Sequence, residues 1–157
     1  MADHQLVEIR LVQPGDHAQV LALAPRLAEG GAPWRDPKAV RHAACGWIES
    51  SLDTTSQPDH AVYVAIADER VAGVVTICER KHFTGQVDAY IGELAVVSGL
   101  ERRAVATQLV NAAEGWAARR GLAFVTLETG AANHPARAFY AQRGYHEEDI
   151  RLTKALT

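Results

Sequence analysis

The residues that could do chemistry in this sequence centre on a loop at residues 98–103 and the segment that follows it. The loop carries Arg102 and Arg103, and the apolar residues after it recur at helical spacing. The first backbone N–H groups of a helix have no intrahelical partners, and the small residues Ala104 and Ala106 would let a ligand approach them closely. This pattern predicts an anion site suited to phosphate. The alternative is a plain strand-loop-helix junction with two solvated arginines.

The surrounding pattern predicts which elements hold this loop. Residues 90–97 are apolar and β-branched enough for a buried strand, and the helix is predicted to begin near Ala104 and to stop at Gly121. Further strands are predicted at residues 7–12, 62–66, 71–78 and 124–127 and in the closing segment 145–156. Helices are predicted after Asp16, from Asp36 and from Asn133, and Pro25 should kink or split the first of them. This order predicts a mixed α/β domain with a parallel crossover around the loop.

Composition limits the classes of function. The 157 residues fit a single domain, 1–157, and 48% hydrophobic with 22% charged residues is typical of a folded globular protein. A formal net charge of -3 argues against nucleic-acid binding, and no apolar run reaches the length of a membrane span. The start shows no signal-peptide pattern. Cys45 and Cys78, without a CxxC motif, are expected to be reduced thiols in the cytoplasm. The seven histidines show no ligand spacing, so no metal is predicted.

Two segments carry a family pattern. They are the strand end at residues 94–97 with the run 103–110, and residues 133–145. Together with the order of elements they resemble the GNAT superfamily of acetyl-CoA-dependent N-acetyltransferases. The resemblance implies an α/β GNAT fold, with a mixed six- to seven-stranded central sheet flanked by about four helices, and acetyl-CoA as co-substrate. The positions that match the family's cofactor-binding residues are Leu94, Ala95, Val96, Arg102, Arg103, Ala104, Val105, Ala106, Thr107 and Asn133.

The match to the family's diphosphate loop has two departures. Glu101 stands where the family has Gln or Arg, and Ala104 stands where it usually has Gly. Ala104 is expected to be tolerated because helical φ and ψ suit alanine, although its methyl group narrows the approach of the ligand. Arg102 and Arg103 are expected to offset the charge of Glu101.

Tyr140 matches the position from which a family tyrosine protonates the departing CoA thiolate. The alternative is a core tyrosine whose hydroxyl reaches the surface. Asn133 matches the asparagine that contacts the pantetheine arm, and it can cap a helix at the same time.

Glu93 is the candidate general base, because a carboxylate in an apolar strand has its pKa raised by desolvation. Strand alternation is expected to put Glu93 on the face of Ile91 and Ala95, opposite Tyr90 and Leu94. The alternative is an edge-facing or paired carboxylate. In this family such a base often works through a water molecule.

The resemblance implies transfer of the acetyl group to a primary amine of a small molecule, by direct attack through a tetrahedral intermediate. Glu79 and Glu128 are candidates for holding the substrate ammonium, and a cleft formed with Asp88 and Glu93 would fit a polycation. The sequence is similar to small bacterial acetyltransferases, including those that modify aminoglycoside antibiotics, and polyamines are also open. Alternatives are a protein or peptide N-acetyltransferase and a non-catalytic acetyl-CoA-binding module. A covalent route through Cys78 is not expected, since the sequence shows no obvious His partner, and a homodimer is expected.

Overall fold

A computed structural model describes residues 7–100 and 104–156 of the chain. In chain order the elements are β1 (Glu8–Leu11), a 3-10 turn (Pro14–Asp16), α1 (His17–Leu21), α2 (Ala24–Leu27), α3 (Pro37–Asp53), β2 (His60–Ala67), β3 (Arg70–Lys81), β4 (Val87–Val96), α4 (Val105–Arg119), β5 (Val125–Leu127) and α5 (His134–Gln142). The predicted mixed α/β class is confirmed. The described residues form five strands and five α-helices, so the expectation of six to seven strands and about four helices is wrong in its counts.

The additional helix results from the predicted split of the first helix at Pro25. α1 ends at Leu21, and α2 begins again at Ala24 with Pro25 in its first turn. Proline has no backbone N–H to donate and its ring clashes with the preceding turn, so it fits the start of a new helix better than the middle of a long one. The predicted first helix is therefore two short helices.

The strand predicted at residues 145–156 is absent, since residues 143–156 form no helix or strand. Alternation of Ile150 and Leu152 with polar residues predicted it, but a strand also needs a neighbour to complete its backbone hydrogen bonds. β5 has three residues and is the last strand of the described sheet. The closing segment therefore has no strand partner for its backbone hydrogen bonds within the described chain.

The sheet has the order β1-β2-β3-β4-β5. The first three pairings are antiparallel, and β4 and β5 are parallel, joined through α4 as predicted. Asp68 and Glu69 connect β2 and β3 with φ of 48° and 61°, which is the backbone of a two-residue hairpin turn.

A bulge in β4 determines where its side chains point. Val75 of β3 lies opposite Leu94, and Ile77 lies opposite Ile91, so Thr76 alone faces both Gly92 and Glu93. The extra residue reverses the alternation of β4 at this point.

Apolar side chains cover both faces of the sheet. One buried cluster joins the sheet to α4 and α5 and includes Ile91, Leu109 and Tyr140. The other joins it to α1, α2 and α3 and includes Ile48 and Ala95. No helix within the described residues is both long enough and apolar enough to cross a membrane.

Candidate active site

The edge of β4 that faces β5 is open along half its length. β5 pairs only with Ala89, Tyr90 and Ile91. Beyond the bulge, the amides of Glu93 and Val97 both point toward β3, because they donate to Thr76 Oγ1 at 2.9 Å and to the Ala72 carbonyl at 2.8 Å.

Because successive residues of a strand turn their backbone groups to opposite sides, the N–H and C=O groups of Leu94 and Val96 face this opening. Ala95 turns its backbone toward Val74 of β3. Of the three β4 residues that match cofactor-binding positions of the family, two therefore present backbone groups to the opening.

Arg26 of α2 already uses one of these groups. Its Nε donates to the Val96 carbonyl at 3.0 Å, and its Nη1 lies 2.7 Å from Glu29 Oε1. The sequence gives no signal for this contact, since the two residues are 70 positions apart and an arginine beside Pro25 reads as a surface residue. The hydrogen bond from Arg26 to Val96 holds α2 against the open edge of β4.

The N-terminus of α4 supplies unpaired backbone donors, as the sequence predicts. The first hydrogen bond back to this end runs from the Gln108 amide to the Ala104 carbonyl, at 3.0 Å. The amides of Val105, Ala106 and Thr107 therefore have no partner inside the helix. Arg102 and Arg103 lie outside the described residues.

The expected conformation of Ala104 is wrong. Ala104 has φ 60° and ψ 10°, a left-handed conformation, and it caps α4 without a side-chain hydrogen bond. A Cβ atom makes this conformation cost about 1–2 kcal/mol. Glycine adopts it freely, so the departure from the family pattern is a backbone strain as well as an added methyl group.

Glu93 shares a face with Ala95, opposite Leu94, as expected, but because of the bulge it does not share the face of Ile91 and is not opposite Tyr90. Ile91 packs with α4, whereas the Glu93 carboxylate turns toward α3, on the same side as Tyr90 and Ala95. Glu93 is 8% exposed, and its Oε2 accepts hydrogen bonds from Ser51 Oγ at 2.8 Å and from Thr76 Oγ1.

Burial raises the pKa of Glu93, and the two hydroxyl donors lower it in part. No cationic side chain within the described residues pairs with this carboxylate. It is thus a buried group, and the alternative of an ion-paired carboxylate finds no support in the described chain.

A cavity of about 190 Å³ lies beside Glu93. Its walls come from α3, β2, β3 and β4, and the lining residues are Ser50, Ser51, Thr54, His60, Ala61, Val62, Thr76, Ile77, Cys78, Tyr90, Gly92 and Glu93. Hydroxyl groups and an aromatic ring dominate the polar part of this wall. The cavity can hold a narrow polar group against the carboxylate.

Cys78 has a histidine opposite it that the sequence did not reveal. His60 of β2 is its cross-strand partner, and Asp59 Oδ1 lies 2.8 Å from His60 Nδ1. Burial first, and the nearby Glu93 second, raise the pKa of the Cys78 thiol. A nucleophilic cysteine needs the opposite shift, so this arrangement works against a covalent route.

The four carboxylates predicted to form one cleft are not brought together. Glu79 lies on the α4 face of β3, where its Oε1 is 2.6 Å from Arg120 Nη2. Glu128 follows β5, and its Oε1 lies 3.4 Å from Arg80 Nη1. Asp88 is 6% exposed. Only Glu93 of this set lines the cavity.

α5 presents the two remaining predicted residues. Tyr140 is 8% exposed and belongs to the apolar cluster on the α4 face, opposite the Glu93 carboxylate, and burial raises its pKa to about 12. Asn133 caps α5, because its Oδ1 accepts from the Ala136 amide at 3.3 Å. Gly30 packs so closely on Asn133 that a Cβ there would lie 2.6 Å from the Asn133 Cβ.

The described residues contain no group of three His, Cys, Asp or Glu side chains placed to hold a metal ion.

The family to which the chain belongs is shown by its sequence. A model of the Acetyltransferase (GNAT) family matches residues 26–145, so the chain belongs to that family. No curated protein matches the chain by sequence.

Solved structures share the fold at low identity. An inferred acetyl transferase from Pyrococcus furiosus superposes with a TM-score of 0.76 at 22% identity, covering 96% of this chain and 100% of that one. Aminoglycoside N-acetyltransferase AAC(6')-Iy in complex with CoA gives 0.72 at 16% identity, covering 96% and 95%. An aminoglycoside acetyltransferase, HMB0005, from an uncultured soil metagenomic sample gives 0.69 at 20%, covering 97% and 99%.

Replacing Ala104 by glycine should stabilise the protein. Ala104→Gly relieves the left-handed strain and is expected to raise the free energy of unfolding by about 1 kcal/mol in urea titrations. Ala106→Gly is the matched control, because Ala106 lies inside α4 and should lose about 0.5–1 kcal/mol. Equal losses in both variants would contradict the left-handed assignment.

Glu93→Gln should change how stability depends on pH. Because the pKa of Glu93 is raised on folding, the native state binds more protons than the unfolded state between the ordinary and the raised value. The contribution of Glu93 to wild-type stability should therefore fall as pH rises through this window, by about 1.4 kcal/mol for each unit of the shift.

The contribution is absent in Glu93→Gln, so the free-energy difference between the two proteins should move in favour of the variant as pH rises and then level off. Urea unfolding of both proteins from about pH 4 to about pH 9 measures it. Parallel curves would show that the carboxylate is not desolvated.

Proposed function

We propose that this chain is an N-acetyltransferase that moves the acetyl group of acetyl-CoA to a primary amine of a small molecule, by direct attack within a ternary complex. The observation that carries the proposal is the open edge of β4 with the buried Glu93 carboxylate beside it, which has no cationic partner among the described residues. Family membership supports acetyl transfer, and the site supports an amine as acceptor because an amine must lose a proton before it can attack.

The chain offers acetyl-CoA two kinds of backbone donor. The amides of Val105, Ala106 and Thr107, which have no partner inside the helix, suit a diphosphate, and the predicted neighbours Arg102 and Arg103 would add positive charge. Leu94 and Val96 would pair with the pantetheine arm along the open edge of β4, with Asn133 contacting the arm from α5. At Val96 the arm would share or take the carbonyl now bonded by Arg26.

Acid and base lie on opposite faces of the sheet. When bound, acetyl-CoA supplies a thioester carbonyl that the amine attacks, and the C–S bond breaks after the N–C bond has formed. Glu93 takes the amine proton, directly or through a water molecule, and the Leu94 N–H polarises the carbonyl. Tyr140 gives its proton to the departing thiolate, and a pKa of about 12 keeps that proton in place at neutral pH.

The acceptor is proposed to be an aminoglycoside-like compound or a polyamine. Structural neighbours that act on aminoglycosides support this class. Glu128 is kept as a group that holds a substrate ammonium, with Arg80 its present partner. Glu79 is not included, because it lies on the other face of the sheet and pairs with Arg120.

A cytoplasmic location without a nucleic-acid partner is part of the proposal. The free thiols of Cys45 and Cys78 and the small negative net charge support it.

Thiol release from acetyl-CoA tests the activity, on a panel of aminoglycosides, polyamines, amino acids and short peptides. Turnover on a small amine is expected. Turnover only on peptides would favour the protein-acetylating alternative, and tight calorimetric binding of acetyl-CoA with no turnover on any amine would favour a non-catalytic module.

Tyr140→Phe should lower kcat by about 10²-fold, because the thiolate loses its proton donor, and should leave the Kd for acetyl-CoA unchanged. Tyr145→Phe is the matched control, since the two rings lie 5.3 Å apart and the Tyr145 hydroxyl is committed to Glu114. If Tyr140→Phe kept full turnover, the tyrosine would be a core residue only.

We also propose that the protein is a homodimer and that its closing segment, residues 145–156, forms part of the dimer interface. Ile150 and Leu152 alternate with polar residues yet are 74% and 89% exposed, and β5 is an edge strand of the described sheet. Pairing with a second copy would give this segment the backbone partners that the described chain lacks.

The double variant Ile150→Asp, Leu152→Asp should therefore run as a monomer in light scattering after gel filtration, whereas wild type runs as a dimer. Arg151→Gln should stay dimeric, because residue 151 alternates with Ile150 and Leu152 and would face the other side of the strand. A monomeric wild type would contradict the proposal.

A further inference from the structure

The two hydroxyl groups that donate hydrogen bonds to the Glu93 carboxylate both bind the same carboxylate oxygen. Ser51 Oγ on α3 and Thr76 Oγ1 on β3 each donate to Oε2. Oε1 has no hydrogen-bond partner in residues 7–100 and 104–156, and Glu93 lines the cavity. The two oxygens of one carboxylate are therefore in different surroundings.

The direction of the Thr76 hydroxyl is determined by its second contact. Its oxygen accepts from the Glu93 amide at 2.9 Å, so its single proton is available for Oε2. Thr76 is 5% exposed, and a Cβ on Gly92 would lie 2.9 Å from Oγ1, so the hydroxyl is enclosed by the bulge. With Oε2 accepting from both hydroxyls, a proton that arrives at Glu93 must sit on Oε1.

We propose that Ser51 and Thr76 are positioning residues for Glu93, whose hydroxyls hold Oε2 so that Oε1 is the atom that takes the acceptor's proton in the cavity. The inference rests on the proposed function, since it assigns atoms to the base of that reaction. It also joins α3, which lines the cavity, to the base on β4. A substrate that moves α3 would thereby move the carboxylate.

The hydroxyls have a second consequence for the same group. Hydrogen bonds donated to a carboxylate favour its ionised form, which offsets part of the effect of burial on the pKa of Glu93. The other titratable groups that face the cavity are His60 from β2, Cys78 from β3 and Tyr90 from β4, whereas α3 contributes only hydroxyls. The measurement must therefore report on the Glu93 carboxyl itself.

The test is a pH titration of the Glu93 carboxyl carbon by NMR in the free protein, with the signal assigned from its absence in Glu93→Gln. Ser51→Ala and Thr76→Val should each raise the midpoint by about one pH unit, because each removes a hydrogen bond to the charged form. Ser51→Ala tests the proposal even if Thr76→Val folds poorly, since alanine suits a helix. Thr76→Ser keeps the hydroxyl and should restore the wild-type midpoint.

Ser50→Ala is the matched control for the midpoint, because Ser50 lines the same cavity but does not contact Glu93, and its midpoint should equal that of wild type. The acid limb of kcat/KM should move with the NMR midpoint in Ser51→Ala, while KM for acetyl-CoA stays constant. Unchanged midpoints in an enzyme that turns over amines would overturn this inference alone. Absence of turnover on every amine would overturn the proposed function and the inference together.

Discussion

The site depends on one extra residue in β4. Because Thr76 faces both Gly92 and Glu93, the strand reverses its alternation, and the Glu93 carboxylate turns from the α4 face to the α3 face. β5 has only three residues and stops pairing at Ile91, next to this irregularity, so the edge of β4 is open beside the carboxylate. A regular strand would send Glu93 into the apolar cluster around α4. The bulge thus determines the face of the carboxylate, and the shortness of β5 leaves the neighbouring edge open.

Burial of that carboxylate is costly, and the fold offsets the cost without an ion pair. A cation beside Glu93 would lower its pKa and make it a weak base at neutral pH. Hydroxyls from Ser51 and Thr76 satisfy one oxygen and leave the other to the cavity. Tyr140 has the complementary property on the opposite face, since its burial keeps the phenol protonated. The two groups therefore suit removal of one proton on one face of the sheet and delivery of a different proton, that of the phenol, on the other.

The order of elements, the split at Pro25 and the exposed amides of α4 could be predicted, because each follows from local pattern or backbone chemistry. The face of Glu93 could not be read from alternation, although a glycine inside a strand, here Gly92, is a recognised signal of a bulge. The left-handed Ala104 escaped prediction because alanine is a strong helix former, and its conformation depends on how the loop meets α4. Contacts made by Ser51 and Arg26 depend on packing between distant segments, which no local pattern encodes. The closing strand was predicted from alternation alone, and alternation does not supply a pairing partner.

Acetyl-CoA is proposed to bind along the open edge of β4 and at the start of α4. Heteronuclear NMR of the backbone amides during an acetyl-CoA titration tests it most directly. The account predicts saturable shifts at Leu94, Val96 and Val105 to Thr107, with little change at Ala95, whose amide points toward β3. Shifts confined to other parts of the chain, or none at saturating acetyl-CoA, would contradict it.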